Sequence, residues 1–124
     1  MHVAAFRSAL RSFLRESELV ARASGLTPQR YLLLLMVKGA PDGSEQATVT
    51  DLVDRIGLAQ STVTELVRRA EEAGLLEREG SPEDGRVVHL RLTAEGEDRL
   101  ARAFTRLDVE RSRLRRAFTE LEEN

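Results

Sequence analysis

Apolar residues recur along this chain mostly at intervals of three and four, the spacing of a helix with one buried face, and a stretch near residues 75–92 departs from it. Over residues 3–23 the stripe is Phe6, Leu10, Phe13, Leu14 and Val20, with arginines between, and Gly25 closes the helix. Leu26-Thr27-Pro28-Gln29 is a helix start: Thr27 caps it, and Pro28 takes the first helical position, where a missing N–H costs nothing. The run Tyr31 to Val37 is apolar on nearly every side and predicts a central, buried helix that stops at Lys38-Gly39. Residues 39–45, GAPDGSE, read as a polar turn.

Thr48-Val49-Thr50-Asp51 opens the next helix as a capping box, in which Thr48 and Asp51 each satisfy the other's amide. Its core positions are Leu52, Val53 and Ile56, and Gly57 supplies the left-handed residue that ends it. Three residues later begins QSTVTELVRRAEEAG, Gln60 to Gly74. Helical spacing puts Val63, Leu66, Val67 and Ala70 on one side of it and Ser61, Thr64, Glu65, Arg68 and Arg69 on the other. A short helix, a turn bearing glycine and a second amphipathic helix make a helix-turn-helix, in which the second helix is held out for a groove. Small hydroxyls followed by paired arginines suit a DNA major groove, where they meet base edges and phosphates. A merely solvated helix face has the same pattern, and two short helices about a turn also occur in unrelated folds.

After Gly74 the period becomes two. Leu75 to Glu79 reads as a strand, Gly80 to Gly85 as a loop and Arg86 to Leu92 as a second strand, with Val88, Leu90 and Leu92 inward and His89 and Arg91 outward. A hairpin directly after a helix-turn-helix is a wing, an element that lies along the DNA backbone or enters a minor groove. Thr93 then caps a last helical region whose first turn is acidic. Leu100, Ala103, Phe104 and Leu107 form its first stripe, and Val109, Leu114, Ala117, Phe118 and Leu121 continue it. Leu107-Asp108 looks like a break with Asp108 as a new cap, and the pattern leaves open whether residues 94–124 are one bent helix or two. The apolar faces of the first and last helices pack either on the chain itself or on a partner subunit.

Composition narrows this picture. A chain of 124 residues suits one domain, 1–124, and 41% hydrophobic with 32% charged residues suits a folded helical protein. No apolar run approaches the roughly 20 residues that cross a bilayer, so no membrane partner is expected. With no secretory leader in view, the cytoplasm is the expected compartment. Zero cysteines exclude disulfides and thiol chemistry. The net charge is −2, and residues 48–93 hold 6 basic against 9 acidic groups, a net of −3, so a DNA-reading surface requires the arginines to cluster in space.

Nothing in the chain points to an enzyme, a cofactor or a metal. Asp51 and Asp54 lie on a solvated helix flank, and Asp51 already has a capping role. His2 is terminal and His89 lies on the outer side of a strand, without other ligands near it in sequence. Arg111, Arg113, Arg115 and Arg116 form a basic run better suited to pairing between helices than to a second DNA site. Tyr31, beside six apolar residues, reads as core rather than as the edge of a ligand pocket.

Three segments together resemble the MarR (multiple antibiotic resistance regulator) family of bacterial winged-helix transcription factors: Leu26-Thr27-Pro28-Gln29; Gln60-Ser61-Thr62-Val63-Thr64; and Gly74-Leu75-Leu76-Glu77-Arg78 leading to Asp84-Gly85-Arg86-Val87-Val88 and Leu92-Thr93-Ala94-Glu95-Gly96. The resemblance implies a mainly α fold with a minor β part: a winged helix-turn-helix over 26–93, and dimerisation helices over 1–25 and 94–124. It implies a homodimer on a pseudo-palindromic operator in double-stranded DNA, usually repressing nearby genes and often released by a small aromatic or phenolic effector. Ser61, Thr62, Thr64 and Arg68 then lie on the recognition helix, which Gln60 opens, and Thr50, Glu65 and Arg69 complete the DNA-facing set with Arg86 of the wing. Asp84 orients Arg86 or the hairpin, and Phe6, Leu10, Phe13, Leu114, Phe118 and Leu121 serve dimerisation. The chain departs from the family at Glu65, often basic elsewhere, where a phosphate contact gives way to readout of a cytosine amine or to repulsion, at Ala59, which lacks a capping oxygen worth about 1 kcal/mol, and at Gly85, where a second wing arginine is common. A winged helix that had exchanged DNA for protein contacts, an adaptor or antirepressor, would carry the same fold with this acidic middle.

Overall fold

Local signals for starting and stopping helices account for most of the architecture. In the computed structural model, which describes residues 2–80 and 87–123, six helices and one hairpin follow in the order α1 (His2–Ala23), α2 (Pro28–Lys38), α3 (Val49–Ile56), α4 (Gln60–Glu72), β1 (Leu76–Gly80), β2 (Val88–Leu92), α5 (Ala94–Arg106) and α6 (Asp108–Glu122). Contacts divide the chain into a central unit, Gln29–Leu100, and a terminal unit of Met1–Pro28 with Ala101–Asn124.

The central unit is built around leucines and valines with no exposure: Leu33, Leu34 and Val37 of α2, Leu52 of α3, Val63 of α4, Leu75, and Leu90 of β2 all lie within 1% of full burial. The predicted capping box is present. Thr48 Oγ1 accepts the Asp51 amide at 3.1 Å, and Asp51 Oδ2 accepts the Thr48 amide at 3.0 Å. Gly57 ends α3 at φ 80°, ψ 19°, a left-handed conformation that a side chain disfavours, and its amide donates to the Val53 carbonyl at 2.9 Å. That turn sets the angle between α3 and α4. Arg55, in the last turn of α3, ties that same end to α2, donating to the Met36 carbonyl at 3.2 Å.

The hairpin pairs β1 and β2 antiparallel, with Leu76 opposite Leu92 and Gly80 opposite Val88. β1 is displaced by one residue from the pattern's Leu75–Glu79, and β2 begins at Val88, leaving Val87 outside it. Leu75 is used by turns instead: its amide donates to the Ala70 carbonyl at 2.9 Å and its carbonyl accepts the Thr93 amide at 3.0 Å. One pairing has no sequence signal at all, since Ala47 exchanges two backbone hydrogen bonds with Leu90, at 3.0 and 2.8 Å, from the segment before α3. A single-residue bridge has no periodicity to read.

Thr93 caps α5, accepting the Gly96 amide at 3.1 Å, and donates its hydroxyl to the Gly74 carbonyl at 2.6 Å. The start of α5 is thereby joined to the end of α4. A Cβ on Gly96 would lie 2.3 Å from the Leu75 carbonyl oxygen, so only glycine permits this approach. Lys38 adds an ionic clamp: its ammonium lies 3.0 Å from Glu45 and 3.0 Å from Glu97, and both partners raise its pKa, Glu45 more strongly.

In the terminal unit α1 packs along α6, with the Phe6 and Phe118 rings 6.1 Å apart and tilted by 56°. Residues 94–122 form two helices, and the sequence reading of Asp108 as the cap between them is corrected: Leu107, at φ −102° and ψ 13°, holds that position without a side-chain hydrogen bond. Asp108 instead opens α6 and pairs with Arg111, whose guanidinium also reaches the Phe104 carbonyl and lies 3.5 Å above the Phe104 ring. Arg111 therefore stabilises the break that Asp108 alone was expected to make.

Candidate nucleic-acid interface

Helix α4 carries its two faces as its periodicity requires. Val63, Leu66, Val67 and Ala70 are buried in the central unit, while Gln60, Ser61, Thr62, Thr64, Arg68 and Arg69 are exposed and Glu65 is half-exposed. Thr50 is exposed on α3. Gln60 begins the helix behind Ala59, which is extended at φ −61°, ψ 149° and contributes no side-chain cap. The first-turn amides of α4 thus keep the helix's positive end without an anchored oxygen in front of it, an arrangement that favours an anion there.

The charged part of the flank is paired within itself. Glu65 accepts from Arg68 Nε at 2.9 Å and Arg69 Nε at 3.0 Å, and Arg68 bonds on its other side to Glu72. These two guanidinium groups hold the Glu65 carboxyl down at about 2, Arg68 contributing most, and Arg68 is itself raised by Glu65. All of these groups are open to water, where such pairs add little net free energy and exchange readily. Behind them, Arg78 of β1 binds Glu71 of α4 through Nε at 2.8 and 3.0 Å, tying the wing's first strand to the helix. On the wing, Arg91 reaches Glu79 at 3.4 Å, and His89 stands opposite Glu79 in the register. Asp84 and Arg86, the expected wing pair, lie outside the described residues.

The structure therefore brings Gln60, Ser61, Thr62, Thr64, Glu65, Arg68 and Arg69 together on one open helix flank. The internal pairing of that flank was missed from sequence, although Glu65 stands three and four residues before Arg68 and Arg69, a spacing that announces ion pairs. Of the residues proposed for dimerisation, Phe6 and Phe118 touch one another within one chain, Leu10 is exposed, and Phe13, Leu114 and Leu121 are half-buried. Val3, Leu14, Leu19, Phe104 and Val109 of the terminal unit are also exposed and lie outside that set.

Residues 24–87 match the sequence model of the MarR family. The chain belongs to the MarR family. MarR-family proteins are winged-helix transcriptional regulators rather than enzymes, and the fold described above is theirs. Over 97 residues, 77% of this chain and 55% of its relative, the sequence is 31% identical to a Thauera aromatica protein provisionally named as a transcriptional regulatory protein for the hcr operon. The chain spans about half the length of the curated relatives it matches. The transcriptional regulator Tm0710 of Thermotoga maritima superposes with a TM-score of 0.69 at 27% identity, over 93% of this chain and 76% of that one. A mutant of the S. aureus MepR protein, solved bound to an oligodeoxyribonucleotide, superposes with a TM-score of 0.72 over 92% of this chain and 81% of that one, and at 18% identity shows the fold alone.

Proposed function

We propose that this MarR-family chain is a homodimeric DNA-binding transcriptional regulator that inserts α4 into the major groove of a pseudo-palindromic operator and represses nearby genes. One observation carries the reading: the polar flank of α4 stands open, from Gln60 to Arg69, on a helix whose opposite face is locked into the central core. Gln60, Ser61, Thr62 and Thr64 offer donors and acceptors of the size that reads base edges, and Arg68 and Arg69 offer forks for phosphate or guanine. Thr50 and Arg86 complete the proposed contacts, from α3 and the wing. Seven exposed large hydrophobics of the terminal unit support a second copy as partner, since a monomer gains nothing by leaving them in water. Release by a small aromatic or phenolic acid belongs to the same proposal.

A protein-binding adaptor is the second reading, and the self-neutralised charge on α4 favours it. Binding of the purified chain to the DNA upstream of its own gene separates the two. A DNA regulator loses affinity steeply as salt rises, and Arg68→Ala weakens binding about tenfold while circular dichroism stays unchanged. Salt-independent or absent binding, or an Arg68→Ala variant that binds normally, refutes the assignment.

A further inference from the structure

We infer that Glu65 is a specificity-determining residue: it withholds Arg68 and Arg69 from any duplex that offers the helix only phosphates. This rests on the DNA-binding reading of α4 and goes beyond it, because the residue concerned opposes binding.

Glu65 lies on the same flank as Ser61 and Thr64, between the hydroxyls at the start of α4 and the arginines near its end. Both of its oxygens are occupied: Oε2 accepts from Arg68 Nε, and Oε1 accepts from Arg68 Nη2 and from Arg69 Nε. Glu72 takes the remaining side of Arg68. The row Glu65, Arg68, Arg69, Glu72 therefore carries no net charge where a DNA-reading helix would ordinarily present cations.

The pairs do little for stability, since exposed ion pairs one turn apart are nearly neutral energetically. Their effect falls on the approach of a polyanion. Non-specific binding draws nearly all its free energy from arginines and lysines that displace counterions from phosphates. On this helix each such contact first requires an arginine to leave Glu65 and then places the freed carboxylate beside the backbone. A matched site offsets that penalty through base-edge hydrogen bonds from the hydroxyls and a bidentate fork on guanine, which random DNA lacks. Glu65 thus lowers affinity everywhere and lowers it most where sequence offers nothing.

The test is Glu65→Gln, which keeps the side chain's size and removes its charge, in the full chain. Affinity is measured for a pool of random-sequence duplexes and for the duplex that the wild type enriches from that pool. Freeing one or two arginines per protomer should raise random-duplex affinity roughly five- to thirtyfold for each protomer engaged at about 0.15 M salt, and steepen the salt dependence by about one to two in log–log slope per protomer engaged. Affinity for the enriched duplex should rise less, so discrimination shrinks. Glu72→Gln, which frees only one side of Arg68, should show a smaller change of the same sign, and retention on a heparin column should follow the same order. If the wild type binds its enriched duplex and Glu65→Gln matches it on random DNA in affinity and slope, the inference alone is overturned. A variant that loses only the enriched duplex also overturns it, since Glu65 would then read a base. If neither protein retains any duplex, the DNA-binding reading falls, and the inference with it.

Discussion

The two units of this chain differ in how far they seal their apolar residues, although Ala21, Ala103 and Leu107 of the terminal unit are fully buried. In the central unit Leu33, Leu34, Val37, Leu52, Val63 and Leu90 are sealed, and Leu58 is the one large hydrophobic exposed among its described residues. In the terminal unit Val3, Leu10, Leu14, Leu19, Phe104, Val109 and Phe118 face solvent, Val109 at 66% and Leu19 at 56%. Both parts are helical and both carry three- and four-residue stripes, so periodicity does not separate them. The difference lies in how many elements share each core. The central unit has helices, a hairpin and the Ala47 bridge to close over its leucines, whereas α1 and α6 have chiefly each other. The proposed homodimer would use this difference, with each winged module closing within one chain and the exposed side chains of the terminal unit meeting a second copy.

The sharpest way to break this contrast is in the sealed core. Leu34→Ala, at a position with 0% exposure, should lower unfolding free energy by about 2–5 kcal/mol in denaturant titration. A loss below about 1 kcal/mol would mean that the core is not closed around it. Gly96→Ala comes next, because the added methyl meets the Leu75 carbonyl and must push α5 from the end of α4. Overpacking of this kind should cost about 1–3 kcal/mol, read as a lowered thermal midpoint. The smallest effect on folding belongs to the terminal unit. Leu14→Ser with Val109→Ser should leave the stability of the central unit within about 0.5 kcal/mol while moving sedimentation from dimer toward monomer. A wild type that sediments as a monomer at all concentrations would remove the reason given for those exposed side chains.

How far the sequence could be read follows the same division. The helix-turn-helix was legible because its signals are local: Thr48 with Asp51, Gly57, and the Val63, Leu66, Val67, Ala70 stripe need no knowledge of distant residues. Thr93 and Gly96 were legible as a helix start, but the close approach that makes Gly96 necessary is tertiary and had no local sign. In the terminal unit the choice between a partner subunit and the chain's own helices stayed open, because a stripe records that a face is buried and not what buries it. The pairing of Phe6 with Phe118 shows that α1 and α6 use part of their stripes on each other. The Glu65 cluster is readable from spacing, yet residue type alone suggests base readout or repulsion at Glu65 and not a clamp on two arginines.

Amide chemical shifts of the chain, followed during titration with its selected duplex, test the reading of α4 most directly. The account predicts changes concentrated at residues 60–69 and near Thr50, with the buried residues of α2, Leu33, Leu34 and Val37, nearly unmoved. Saturable binding that shifts α1 and α6 and leaves residues 60–69 in place would contradict it.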